Sequence, residues 1–236
     1  YKTTSENTVT TIRYKSNGSV MPLLTTLPHQ RNSENGVSTF ASGIDTVRGK
    51  SQFLVANSIQ YTTKIPSSEL ILSKPKISDF FKNEILNRYV DKDADSISVS
   101  GMSYDGGKEL YRLANLAMVA HQSMSPRADE LTAKLKSELT NWLTYTSGEK
   151  DKFFYYDKEI KGLVAAEPQY GSDSFNDHHF HYGYFIYAAA VLGHYDTDFV
   201  SDYGAAVSII GKDIADEGGD LFPRLRTYDA YEGHSW

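Results

Sequence analysis

A two-part α+β fold, strands first and helices afterwards, is the architecture the sequence predicts, and three observations predict it. Over the first 72 residues, short β-branched and alternating runs dominate. From residue 73 onward, apolar residues recur every three or four positions, as they do on helices. Between the two regimes, Pro66-Ser67-Ser68 and Ser73-Lys74-Pro75 bracket the change of period. A block of strands followed by a block of helices argues for α+β or two domains, and against a doubly wound sheet. We therefore expect a β-rich region over residues 1–72 and a helical region over residues 73–236.

Within the first region, residues 9–14 form a short β-branched strand. Phe53, Val55, Asn57, Ile59 and Tyr61 alternate with a period of two, as one half-buried strand would. Arg48-Gly49-Lys50-Ser51 reads as a hairpin turn and Asn17-Gly18 as a second turn. Residues 30–36 read as loop. In the second region, Phe81, Ile85 and Tyr89 sit four apart after a start signal at Asp79. Leu110, Leu113, Ala114, Ala117 and His121 make a second helical face. Leu131, Leu135, Leu139 and Trp142 make a third, entered through Ser125-Pro126. Glu130 and Lys134 have the spacing of an ion pair on its wet side. Residues 147–173 read as loop-rich, with aromatics at 153–156. Two more helices are expected near 178–193 and 199–214, the second stopped by Gly218-Gly219.

Composition narrows the function. A formal net charge of −6 argues against nucleic acid or an anionic membrane surface as partner. With no cysteine, thiolate metal sites and disulfides are excluded. No apolar run reaches the length of a membrane span. Tyrosine outnumbers phenylalanine 17 to 11, and tyrosine faces suit sugar rings as well as ordinary packing. The opening Tyr1-Lys2-Thr3-Thr4 shows no signal peptide and reads as the middle of a longer chain.

The chemistry concentrates at Ser174-Phe175-Asn176-Asp177-His178-His179-Phe180-His181-Tyr182-Gly183-Tyr184, which runs into an apolar helix. Asn176 or Asp177 is placed to cap that helix. Asp177, His181 and Tyr184 fall on one face, with Ala188 below them. Gly183 thins the helix and would admit a backbone or a ligand. Three readings compete. The first is a capping aspartate followed by satisfied core histidines. The second is a metal site on Asp177, His178 and His181, although the zinc-helix spacing is absent. The third is acid–base catalysis on a glycosidic bond, with Asp177 as proton donor. A helix N-terminus favours the ionised carboxylate, whereas a general acid must hold its proton. Burial among Phe175, Phe180 and Tyr184, or a second carboxylate, would have to outweigh the dipole.

The cluster, with its Ala188-Ala189-Ala190 continuation, resembles the signature of the endo-β-1,3-glucanases of glycoside hydrolase family 81. Other segments resemble that family in the same order: Leu27-Pro28-His29, Val47-Arg48-Gly49-Lys50, Tyr104-Asp105-Gly106-Gly107-Lys108 and Leu113-Ala114-Asn115-Leu116-Ala117. Tyr156-Asp157, Gly162-Leu163-Val164, Asp213-Ile214, Phe222-Pro223-Arg224-Leu225-Arg226-Thr227-Tyr228-Asp229 and Gly233-His234-Ser235-Trp236 follow. The resemblance implies a β-sandwich part followed by part of an (α/α)6 toroid. It implies an inverting hydrolase of internal bonds in β-1,3-glucan, secreted and working without a cofactor. It places the general acid at Asp177 and puts His181 in the sugar cleft. Tyr184, Tyr104, Asp105, Asp229 and His234 are the further candidates for glucan contact.

One departure accompanies the resemblance. The family's general base is a glutamate downstream of Gly-His-Ser-Trp, and this sequence stops at Trp236. An inverting site needs two carboxylates about 6.5–9.5 Å apart. Asp105, Asp157, Asp173, Asp229 and Glu232 are weaker candidates for the second. The expectation is a fragment whose toroid is completed by the rest of its parent chain or by another chain. Apolar faces such as Leu131, Leu135 and Leu139 would then need covering. The fragment alone would bind glucan without cutting it.

Overall fold

The structure is a computed structural model that describes residues 2–3, 7–14, 23–30, 39–47, 49–64, 79–224, 228–229 and 234–235. The chain divides into two compact units, Tyr1–Ser67 with Asp229–His234, and Ser68–Tyr228 with Ser235–Trp236. The fold is α+β. The expected boundary at 72/73, both Pro-Ser brackets and the Asn17-Gly18 turn lie outside the described residues.

The strand unit holds β1 (Lys2–Thr3), β2 (Asn7–Arg13), β3 (Leu23–Thr26), β4 (Thr39–Thr46), β5 (Gly49–Val55) and β6 (Ser58–Lys64). They make two three-stranded sheets, ordered β1-β2-β6 and β3-β5-β4, antiparallel throughout. β4 and β5 form a hairpin in which Thr46 pairs with Gly49, at a φ of 101° that a glycine adopts at little cost; Gly49, Lys50 and Ser51, expected in the turn, lie in β5. Bulges interrupt β4, and the buried Ser51 hydroxyl stitches them, accepting from the Ile44 amide at 3.1 Å and donating to its carbonyl at 3.0 Å. The run 53–61 is two strands, not one. The chain breaks at Ala56-Asn57, and β5 and β6 join different sheets. Ile59 and Tyr61 point inward as expected, but in β5 it is Leu54 that is buried, with Val55 exposed. A break resets the phase of a period-two pattern, which turns each side chain to the other face.

The helical unit comprises α1 (Asp79–Ala94), α2 (Ser103–Gln122), α3 (Ala128–Leu143), the hairpin β7 (Phe154–Asp157) and β8 (Gly162–Ala165), a 3-10 turn at Ser172–Ser174, then α4 (His178–Tyr195) and α5 (Thr197–Ile214). A final pair, β9 (Tyr228–Asp229) and β10 (His234–Ser235), closes the order. The hairpin at 154–165 lies in the stretch read as loop; four-residue strands are too short for their alternation to stand out. α2 packs on α1, α3 and α4, and α4 on α2, α3 and α5. One residue joins α4 to α5: Asp196 caps α5 by accepting from the Phe199 amide at 2.9 Å, and its other oxygen meets Lys136 at 2.7 Å.

Packing corrects three expectations. Leu131, Leu135 and Leu139 are not left bare; α3 turns them inward, where they are fully buried with Trp142, Tyr182 and Phe185. The exposed apolar stripe is instead Phe81, Ile85 and Tyr89 on α1. The face of α1 that meets the core is one position further on, at Leu86, Val90 and Ala94. Glu130 pairs with Arg127 at 2.6 Å, while Lys134 donates to the Ile97 carbonyl at 2.7 Å, so the expected pair is not made. Among the described residues no helix is long and apolar enough to cross a membrane.

Candidate active site

α2 and α4 both begin at one end of the helical unit, and their first turns build the site. Asp177 occupies the N-cap position of α4, and its carbonyl accepts the His181 amide at 2.8 Å. Its side chain does not cap. Asp177 has a left-handed backbone, φ 55°, and its carboxylate accepts no bond from the first-turn amides. It accepts one from the Asn176 side chain at 3.0 Å. The carboxylate is therefore half-exposed and uncommitted to holding the helix.

The approach to Asp177 is strained. Tyr170, Phe175 and Asp177 all have positive φ, as does Gly171. Such a conformation costs a non-glycine residue about 1–3 kcal/mol and persists only where its surroundings over-determine it. The surroundings here are dense. Asn176 donates its amide to the Gly171 carbonyl at 3.0 Å and its side-chain nitrogen to the Tyr170 carbonyl at 2.8 Å. The Phe175 ring lies on the His178 ring, centroids 3.9 Å apart.

The histidines separate into three roles. His179 is exposed. His178 is buried, with Nδ1 2.6 Å from Asp213 and Nε2 2.6 Å from the Ser172 carbonyl. His181 is buried, with Nδ1 3.2 Å from the Ser103 hydroxyl. Among the described residues its Nε2 has no hydrogen-bond partner, which leaves that edge for a ligand. Burial holds the His181 pKa below its ordinary value, against a weaker upward pull from Asp177. The metal reading fails on this geometry: both nitrogens of His178 are engaged. Among the described residues no group of three or more His, Asp or Glu could hold an ion.

Aromatic rings extend the site along α2 and α4. Tyr104 contacts Tyr170, His181, Phe180 and Tyr184, with centroids 5.3–6.2 Å apart. Tyr111 continues the run to Tyr184 and Tyr187. Tyr170, Phe180 and Tyr111 are exposed, so the rings form an open shelf. The Lys108 ammonium lies 5.6 Å over Tyr104. Gln169 fixes the shelf to its helix. Its Oε1 accepts the amides of Tyr104 and Asp105 at 2.9 and 3.0 Å, and its nitrogen donates to Asp105 at 2.9 Å. Thus a glutamine 64 residues away supplies the cap that α2 lacks locally.

Asp177, His181, Tyr184, Tyr104 and Asp105 are thus brought together, though Asp105 is bound to Gln169. Asp229 and His234 lie in β9 and β10, and their side chains are outside the described residues. Gly183, expected at a close approach, has no described atom within 4 Å of where a Cβ would sit. Sequence reasoning missed Ser103, Gln169, Tyr170 and Ser172, each of which has at least one partner far away in the chain. It also gave Asp213 no role. Its signal is a carboxylate on the stripe Phe199, Tyr203, Val207 and Ile210, where α5 should be apolar.

The Glycosyl hydrolase family 81 C-terminal domain model matches residues 74–236. Over 98% of its length the chain is 34% identical to a glucan endo-1,3-beta-D-glucosidase of Acetivibrio thermocellus, covering 31% of that protein. Over 91% it is 30% identical to one of Thermobifida fusca, covering 29%. A solved structure of a mutant family 81 glycoside hydrolase from Clostridium thermocellum superposes with a TM-score of 0.77. Its identity is 32%, across 98% of this chain and 33% of that one. The chain thus spans about a third of the length of these relatives.

Proposed function

The chain belongs to glycosyl hydrolase family 81, and on that premise we propose that it carries the acid half of an inverting hydrolysis of internal bonds in β-1,3-glucan. The observation that carries the proposal is the Asp177 carboxylate, held in a strained turn, released from capping, and set beside His181 and the aromatic shelf. Asp177 donates its proton to the leaving glycosidic oxygen. A second carboxylate activates water on the opposite face of the sugar. Asp105 is tied to Gln169 and Asp213 is buried against His178, so neither supplies that second group. A base supplied by the further length of the relatives, of which this chain spans about a third, fits this arrangement. Tyr104 and Tyr184 stack on glucose rings, and His181 Nε2 meets a hydroxyl. Asp229 and His234 belong to a further subsite, the rest of the toroid is completed by the parent chain, and the enzyme acts outside the cell.

The test uses the full-length protein that contains these residues. With laminarin it should release reducing ends, and proton NMR should show the α-anomer appearing first. Asp177→Asn should lower kcat by about 10²–10⁴-fold and leave laminarin affinity unchanged. Melting temperature should hold, because the side chain makes no cap and Asn tolerates a left-handed backbone. Normal turnover in the variant would reject Asp177 as the acid. A full-length protein inert toward laminarin would reject the substrate. The isolated 236 residues should bind laminarin and release nothing.

A further inference from the structure

Proton transfer at Asp177 makes no use of His178 or Asp213, yet both are sealed from solvent, at 1% and 0% side-chain exposure. Both edges of the imidazole are engaged. The Ser172 carbonyl has no hydrogen to give, so His178 Nε2–H donates to it at 2.6 Å. On the other edge, Nδ1 and Asp213 Oδ2 lie 2.6 Å apart, too close for two lone pairs to face one another, so one hydrogen lies between them. Asp213 Oδ1 accepts the Leu163 amide of β8 at 2.7 Å. Two aromatic rings also pack on the imidazole, with centroids at 3.9 Å for Phe175 and 4.4 Å for Tyr182.

This ring is clamped on both edges and packed by two aromatic rings, and it belongs to the residue that follows Asp177. Ser172 and His178 close the ends of the loop in which Phe175 and Asp177 take left-handed backbones. The Ser172 hydroxyl continues through Ser103, at 3.4 Å, to His181 Nδ1. Asp213 brings α5 into the clamp. We propose that Asp213 is a positioning residue for Asp177: acting through His178, it fixes the ring rotamer that holds the 172–177 turn in its strained form. The inference rests on the reading of Asp177 as the general acid.

Asparagine discriminates position from charge. Asn at 213 can still accept from Leu163 and can donate its amide hydrogen to a neutral Nδ1, so it keeps the geometry without the carboxylate. In the full-length protein, Asp213→Ala should lower kcat on laminarin by about 10- to 100-fold with little change in KM. Asp213→Asn should restore most of it. The loss should nearly vanish on a 2,4-dinitrophenyl laminarioligoside, whose leaving group departs without a proton. A crystal structure of Asp213→Ala should show Asp177 out of the left-handed region. Native turnover in Asp213→Ala, an Asn variant as poor as Ala, equal loss on both substrates, or an unmoved Asp177 would each overturn the proposal. If Asp213→Ala does not fold, His178→Asn decides. It keeps a donor toward Asp213 and cuts the Ser172 link, and it should show the same substrate-selective loss; native turnover there overturns the proposal. Native protein inert on both substrates would instead count against the glucanase reading, and the position of Asp177 in the crystal would still test the clamp.

Discussion

At His181 the surroundings decide the charge. The ring is buried between the first turns of α2 and α4, and one nitrogen meets only a serine hydroxyl. Charging it there would strand an imidazolium away from water, so desolvation lowers its pKa from the ordinary 6.5, with Asp177 opposing. In the unfolded chain the same ring takes up its proton at the ordinary value. As pH falls, the unfolded state binds that proton first, so acid favours unfolding. The contribution of the neutral ring is complete above the ordinary value and is lost as pH drops from there toward the lower folded-state value. A His181→Gln variant has no such titration. Between about pH 7 and about pH 5, melting temperature should therefore fall further for the native chain than for the variant. Equal falls would show that His181 is not held neutral by burial.

Helices α2 and α4 approach one another through a glycine that belongs to neither the histidine cluster nor its helix. A Cβ at Gly107 would lie 2.9 Å from the Phe185 ring, 3.1 Å from the His181 carbonyl and 3.2 Å from Tyr184 Cβ. Gly107→Ala gains about 1 kcal/mol of helix propensity but forces a packed contact apart at a cost of about 1–3 kcal/mol. Its melting temperature should drop, and on the proposed glucanase reading the turnover of the full-length protein with it, because Tyr104 and His181 ride on the two helices being separated. Gly183→Ala meets open space and should gain about 1 kcal/mol without a clash. The opposite order in a pair of thermal melts would contradict the packing of α2 on α4. The same two glycines mark what spacing can reveal. Apolar period located the five described helices, because that signal is local. Gly183 was assigned the close approach for its place in the histidine cluster, whereas proximity is set by which backbone lies opposite, and that is not written nearby. Asp177, His181 and Tyr184 were legible because they sit in one motif, and Tyr104 and Asp105 through a second. Asp213, Gln169 and Ser172 act across turns and helices, so nothing adjacent to them announces a partner.

For the whole molecule, the two units differ in how much they bury. The helical unit encloses one continuous cluster that runs from Val90 on α1 to Phe222 and includes Trp142, Tyr182, Phe185 and Phe199. Among the described residues, the strand unit's cluster is Leu24, Ala56, Ile59 and Tyr61, with Ile12 and Tyr14 packed on it. A three-stranded sheet needs a substantial apolar face to be stable by itself, and burial is what offsets the ordering of the chain. Among the described residues, one small cluster serves two such sheets, which is less than that requirement. Expressed alone, Ser68–Tyr228 should keep a helical circular-dichroism spectrum and melt in one cooperative transition. Residues 1–67 expressed alone should show neither cooperative melting nor slow amide exchange. In the intact chain, loss of strand signal should then precede loss of helix signal on heating, so one melting temperature would not describe both. Coincident transitions by far-ultraviolet dichroism and tyrosine fluorescence, together with a cooperatively melting 1–67, would show that the strand unit is stabilised by more than the cluster around Ile59.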